Sequence, residues 1–188
     1  MEAWDDMVLQ KIMLWPNLLL VICTVVRFQE SFLAGRFTRV GVLVVLSSLP
    51  PLWYCLRKRM WKALKVAAAF LNIVLFLMCA YVFCGISHIL FKSGMTRPAP
   101  YIAVSCLWIL GLGAVFSKER TKSMRAGTAF DVALCLFVAA AAYFSLTSKW
   151  MVDMNVVLYG TVMAIAALNV CLLLRAFEED SLKREAVS

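Results

Sequence analysis

The 188 residues predict an all-α polytopic membrane protein, a bundle of about six transmembrane helices with short loops. Three observations carry that prediction. Hydrophobic residues make up 63% of the chain and charged residues 16%, and the mean hydropathy is +0.85; a soluble fold of this length cannot hide so much apolar surface. The charged residues are gathered so that six charge-free stretches remain between them. Those stretches are apolar throughout rather than alternating, which reads as helices and not as the strands of a barrel.

The first stretch, Ile12–Val26, is the shortest. It crosses the ~30 Å hydrocarbon core only if Lys11 and Arg27 both snorkel, giving a span of 10–28. The second, Val40–Leu56, is slightly longer and spans 40–57 if Arg39 and Arg57 snorkel. The third, Val66–Phe91, and the fourth, Pro98–Ser117, are long enough to cross unaided, as spans 66–91 and 98–117. The fifth, Val132–Ser148, reaches 128–148 by taking in Thr128–Phe130 and tolerating Asp131 near the interface. The sixth, Met154–Leu174, also crosses unaided and spans 154–175. Residues 1–188 then form a single transmembrane domain, with no loop long enough for an extramembrane one. The Arg27–Arg39 loop carries Phe28, Phe32, Leu33 and Phe37 and suits a short helix lying flat on the outer interface. Glu179–Lys183 and Asp180–Arg184 pair at i,i+4, so the sixth helix is expected to run on into the cytoplasm.

Six spans put both termini on one side. That side holds 13 Lys and Arg, at 11, 57, 58, 59, 62, 65, 118, 120, 122, 125, 175, 183 and 184; the other holds 6, at 27, 36, 39, 92, 97 and 149. The asymmetry makes both termini cytoplasmic. Which membrane is not written in the sequence, although an endomembrane is favoured. MEAWDD is acidic where a secretory leader is basic, so no cleaved leader is expected. The basic loops Arg57, Lys58, Arg59, Lys62, Lys65 and Lys118, Arg120, Lys122, Arg125 lie hard against the membrane and read as contacts to anionic lipid head groups. They form no folded nucleic-acid module. Trp15, Trp53, Tyr54, Trp61, Tyr101 and Trp150 fall near stretch ends, as an interfacial belt does.

Several chemistries lack their residues. The single histidine, His88, cannot build a bis-histidine haem, a di-iron centre or a histidine-rich zinc site, and it reads as an interfacial side chain four residues from Lys92. Ser87 and His88 point ~100° apart on a helix and form no dyad. No acid or base lies inside a charge-free stretch, so neither an intramembrane carboxylate pair nor a row of gating arginines is present. The seven cysteines all fall inside apolar stretches and none is placed for a lumenal disulfide framework; Cys55 and Cys171, close to basic residues, read as small buried hydrophobes, with palmitoylation as the alternative. No cofactor, no metal and no catalytic residue is expected.

The remaining signal is uncharged and polar. Asn17, Asn72 and Asn169 lie six, seven and six residues inward from Lys11, Lys65 and Arg175. At 1.5 Å per residue they share a depth of ~9–10 Å and form an intramembrane polar layer, each needing a partner within the bundle. Pro50 and Pro51 remove the hydrogen bonds that the carbonyls of Leu46 and Ser47 would accept. The hydroxyls of Ser47 and Ser48 stand near enough to relieve this, and a break or kink of more than ~20° is predicted there. Gly111 and Gly113 mark the fourth helix near the same level. In the sixth, Asn155, Tyr159, Val162, Ala166 and Asn169 form one stripe and Gly160, Ala164, Ala167 and Cys171 another, so both faces suit packing.

These features predict a non-enzymatic helical subunit or scaffold of a membrane complex, partnered by another membrane protein or by its own copies. The alternative is a small oligomeric channel or facilitative transporter built around the asparagine layer.

Overall fold

The computed structural model describes residues 12–22, 24–25, 39–57, 60–94, 98–117, 120–147 and 151–185. The described residues are helical, with no strand among them. The helices are α1 (Ile12–Ile22), α2 (Arg39–Arg57), α3 (Lys62–Lys92), α4 (Pro98–Phe116), α5 (Arg120–Thr147) and α6 (Met151–Glu185). Three are long and apolar enough to cross a membrane: α3 with 31 residues, α4 with 19, and Asn155–Phe177 of α6 with 23. Ile12–Ile22 and Gly41–Arg57 are shorter apolar helices. The chain is thus an all-helical protein of membrane character. Residues 27–38 of the Arg27–Arg39 loop, Lys11, Lys58, Arg59, Lys118 and Trp150 lie outside the described residues, as do the side chains of Arg39 and Arg120.

The helices group into two compact units. The first contains α1, α2, α3 up to Leu75 and α6 from Ile165 onward. Its core is built by stripes at helical spacing: Met13, Asn17, Leu20 and Thr24 on α1, Val44, Ser48 and Pro51 on α2, Lys65, Ala68, Asn72 and Leu75 on α3, and Ile165, Leu168, Asn169 and Leu172 on α6, all buried.

The second unit contains α3 from Phe76, then α4, α5, and α6 up to Ala164. Along α4 the buried residues Pro100, Val104, Leu107, Gly111, Ala114 and Val115 recur at steps of about three and four, a continuous seam. Phe76 meets Trp108 edge to face at 6.2 Å, and Phe83 meets Tyr101 in the same way at 6.0 Å. Seven residues separate the contacts on each helix, in opposite directions, so α3 and α4 run antiparallel in coiled-coil-like register. Ser123 on α5 donates its hydroxyl to the carbonyl of Ala114, and a Cβ on Gly113 would stand 3.7 Å from that of Ala126. At Gly160 of α6 the approach is closer still: a Cβ there would lie 2.6 Å from Cγ1 of Val104.

Three expectations need correction. Of the break or kink predicted in the second helix, the break does not occur: α2 continues as helix through both Pro50 and Pro51. The fifth helix begins at Arg120, eight residues before the expected span of 128–148. Counting from the Ala114–Ser123 and Gly113–Ala126 contacts, Asp131 stands opposite Leu107, midway along the 19-residue α4, rather than near an end. Tyr54 is no interfacial residue: it is 4% exposed, whereas Trp15, Trp53 and Trp61 of the expected belt are exposed.

Candidate functional site

Within the first unit the three asparagines come together, and they are 0%, 0% and 1% exposed at Asn17, Asn72 and Asn169. Asn17 and Asn169 form a reciprocal amide pair. Asn17 Nδ2 donates to Asn169 Oδ1 at 2.8 Å, and Asn169 Nδ2 returns a bond to Asn17 Oδ1 at 2.9 Å. The second N–H of Asn169 goes to Asn72 Oδ1 at 3.0 Å. Asn17 sends its other N–H to the carbonyl of Met13 at 2.8 Å. Asn72 donates to the carbonyls of Ser47 at 2.8 Å and Ala68 at 2.9 Å.

The donor inventory closes. A primary amide offers two N–H donors and one acceptor oxygen. All six donors are used, and each of the three side-chain oxygens accepts a bond. Such a network joins α1, α2, α3 and α6 and has no amide hydrogen left to offer a ligand, an anion or water.

One of these bonds resolves the problem that the proline pair creates. Pro51 has no N–H to give the carbonyl of Ser47, four residues earlier. In its place stands Asn72 Nδ2, reaching across from α3. The hydroxyls expected to do this do not: Ser47 Oγ donates to Val44 O at 3.0 Å, and Ser48 Oγ is buried with no partner. A tertiary donor thus meets one of the two carbonyls that the proline pair strands, that of Ser47.

Lys65 also departs from expectation. It does not reach a lipid head group; it is 3% exposed, its Nζ donates to the carbonyl of Ala176 on α6 at 3.1 Å, and it lies 5.3 Å from the centre of the Tyr54 ring. The cation binds the protein because α6 carries its backbone past the start of α3, where an ammonium finds a carbonyl and an aromatic face inside the fold. Arg57, Lys62, Lys122 and Arg125 are exposed, with Arg57 over Trp53 at 5.2 Å.

Gly111 and Gly113 belong to the second unit. Among its described residues, four buried side-chain atoms have no hydrogen-bond partner: Ser87 Oγ, Tyr101 OH, Thr161 Oγ1 and Asp131 Oδ1. The described cysteines, 55, 79, 84, 106, 135 and 171, are all free thiols. Among the described residues no group of three or more His, Cys, Asp or Glu is placed to hold a metal ion. No protein family, curated protein or solved structure matches the chain.

Proposed function

We propose that the chain is a multi-pass helical subunit or scaffold of a membrane complex, not an enzyme, with both termini in the cytoplasm. The observation that carries this reading is the saturation of the asparagine cluster: every amide donor is consumed within the protein. A pore or carrier needs polar groups turned toward a permeant or toward water. A buried polar knot whose donors are all spent within the protein instead fixes the register of the helices it joins. The short loops and the exposed apolar helix faces, such as Phe70, Leu77 and Phe91 on α3, support a protein that works by presenting helices to lipid and to other helices. The 13-to-6 distribution of Lys and Arg supports the cytoplasmic termini, and Arg57, Lys62, Lys122 and Arg125 are the basic side chains suited to anionic head groups.

Purification of the full chain in a mild detergent, followed by identification and quantification of what stays bound, tests the reading. A different membrane protein at fixed stoichiometry supports it. A pure homo-oligomer that conducts ions or solutes when reconstituted in vesicles refutes it in favour of the channel or facilitative transporter.

A further inference from the structure

Asp131 is the one acidic side chain that the second unit carries at the depth of the middle of α4. It lies beside the packed stripe of α5, four residues after buried Gly127 and three before buried Leu134. Its Oδ1 is buried, and no donor or cation among the described residues meets it. The flank it opens onto is exposed. Thr128 and Cys135, one turn to either side, are exposed, as is Met124 a turn further on. The flank supplies no donor of its own, because the Thr128 hydroxyl is spent on the carbonyl of Met124 at 2.9 Å. At 100° and 1.5 Å per residue Arg125 lies ~120° and Lys122 ~180° around the helix from Asp131, and position 120, on the same side, stands ~16.5 Å away along the axis.

A carboxyl group at mid-depth with an open, uncharged flank calls for a complementary group arriving from outside. We propose that the Asp131 flank of α5 docks a transmembrane helix of a different protein, one carrying a lysine or arginine near the middle of its span. A second copy of this chain does not supply that group. The described basic side chains of α5, Lys122 and Arg125, lie on other sides of the helix from Asp131, and two-fold pairing of this flank would set Asp131 against Asp131. The small side chains of Thr128 and Cys135 leave room for the close approach that a charged hydrogen bond between helices requires. This inference rests on the reading of the chain as a complex subunit and names the chemistry of its partner.

The test uses the full chain in phosphatidylcholine vesicles and a synthetic single-span helix of Leu and Ala, capped by tryptophans, as the probe. Association is read by energy transfer between fluorophores on the two. Three probes are compared: lysine at the centre, leucine at the centre, and lysine moved two turns toward one end. The central-lysine probe is expected to bind about tenfold more tightly than either control, and Asp131→Asn is expected to abolish the difference. Equal binding of the three probes to the natural chain overturns the proposal, as does an undiminished preference in Asp131→Asn. If that variant fails to fold, the three probes on the natural chain decide alone. Self-association that depends on Asp131, without preference for the lysine probe, overturns it in favour of a second copy. Equal probe binding beside a stoichiometric partner in the purification refutes the docking site and leaves the subunit reading standing.

Discussion

Replacing Asn72 with leucine removes two donors and one acceptor at once, and the consequences are unequal. The carbonyl of Ala68 loses the Asn72 side chain at 2.9 Å but keeps its ordinary helical bond from the backbone N–H of residue 72. The carbonyl of Ser47 loses the Asn72 donor at 2.8 Å and has no backbone donor to fall back on, because residue 51 is proline. One N–H of Asn169 loses its acceptor at 3.0 Å. Two groups are thus stranded in a buried site. Interhelical hydrogen bonds in membranes are worth ~0.6 kcal/mol on average and up to ~1.7, so Asn72→Leu is expected to cost about 1–3 kcal/mol. Pro51→Ala returns an N–H to the Ser47 carbonyl. In that background Asn72→Leu should therefore cost about 1 kcal/mol less, roughly a fivefold difference in the unfolding constant. The cavity left by the buried proline is common to both arms of the cycle and cancels. The measurement is reversible unfolding in bicelles of the natural chain, the two single variants and the double variant. Additivity within ~0.3–0.5 kcal/mol, the scatter of independent sites, would show that the amide does not stand in for the missing backbone donor.

Two glycines should respond oppositely to alanine. Gly85→Ala, with nothing within 4 Å of the added carbon, should raise stability by up to ~1 kcal/mol. Gly160→Ala drives its Cβ to within 2.6 Å and 2.8 Å of the methyl groups of buried Val104; it should lower the unfolding midpoint despite the gain in helix propensity, and Val104→Ala should restore it. Lys65→Ala should destabilise by more than ~1 kcal/mol because it strips a buried contact, whereas Lys62→Ala, at an exposed site, should stay within ~0.5 kcal/mol under the same titration. Epitope tags at either terminus should resist protease added outside sealed cells; accessibility of only one of them would mean an odd number of spans.

How far the sequence can be read follows from the reach of each argument. Depth is legible, because a helix advances by a constant rise: counting inward from Lys11, Lys65 and Arg175 sets the three asparagines level, and hydrogen bonds join them. The stranded carbonyl of Ser47 is legible too, since proline's missing N–H is a local fact. Its rescuer is not. Asn72 lies 25 residues away, and the local sequence offers only the neighbouring hydroxyls. Lys65 and Asp131 escape a sequence reading for a shared reason. Charges usually end a span and so mark its boundary, yet a charge can lie inside a helical bundle wherever neighbouring backbone or side chains receive it. A contact such as Gly160 against Val104 leaves a trace in the small-residue stripe of α6, but the stripe does not name the residue it meets.

The asparagine cluster also bears on how the protein is made. Asn17 and Asn169 are 152 residues apart in the chain. At translation rates of about 5–20 residues per second, Asn17 is made roughly 8–30 s before its partner exists. For that interval the Asn17 amide has the Met13 carbonyl of its own helix but not the Asn169 side chain. The early helices are therefore metastable until the last one arrives, and α6 acts as the closing piece of assembly. A ribosome that stops before Asn169 releases a chain in which one N–H of Asn17 and the side-chain oxygens of Asn17 and Asn72 lack the partners they have in the finished fold.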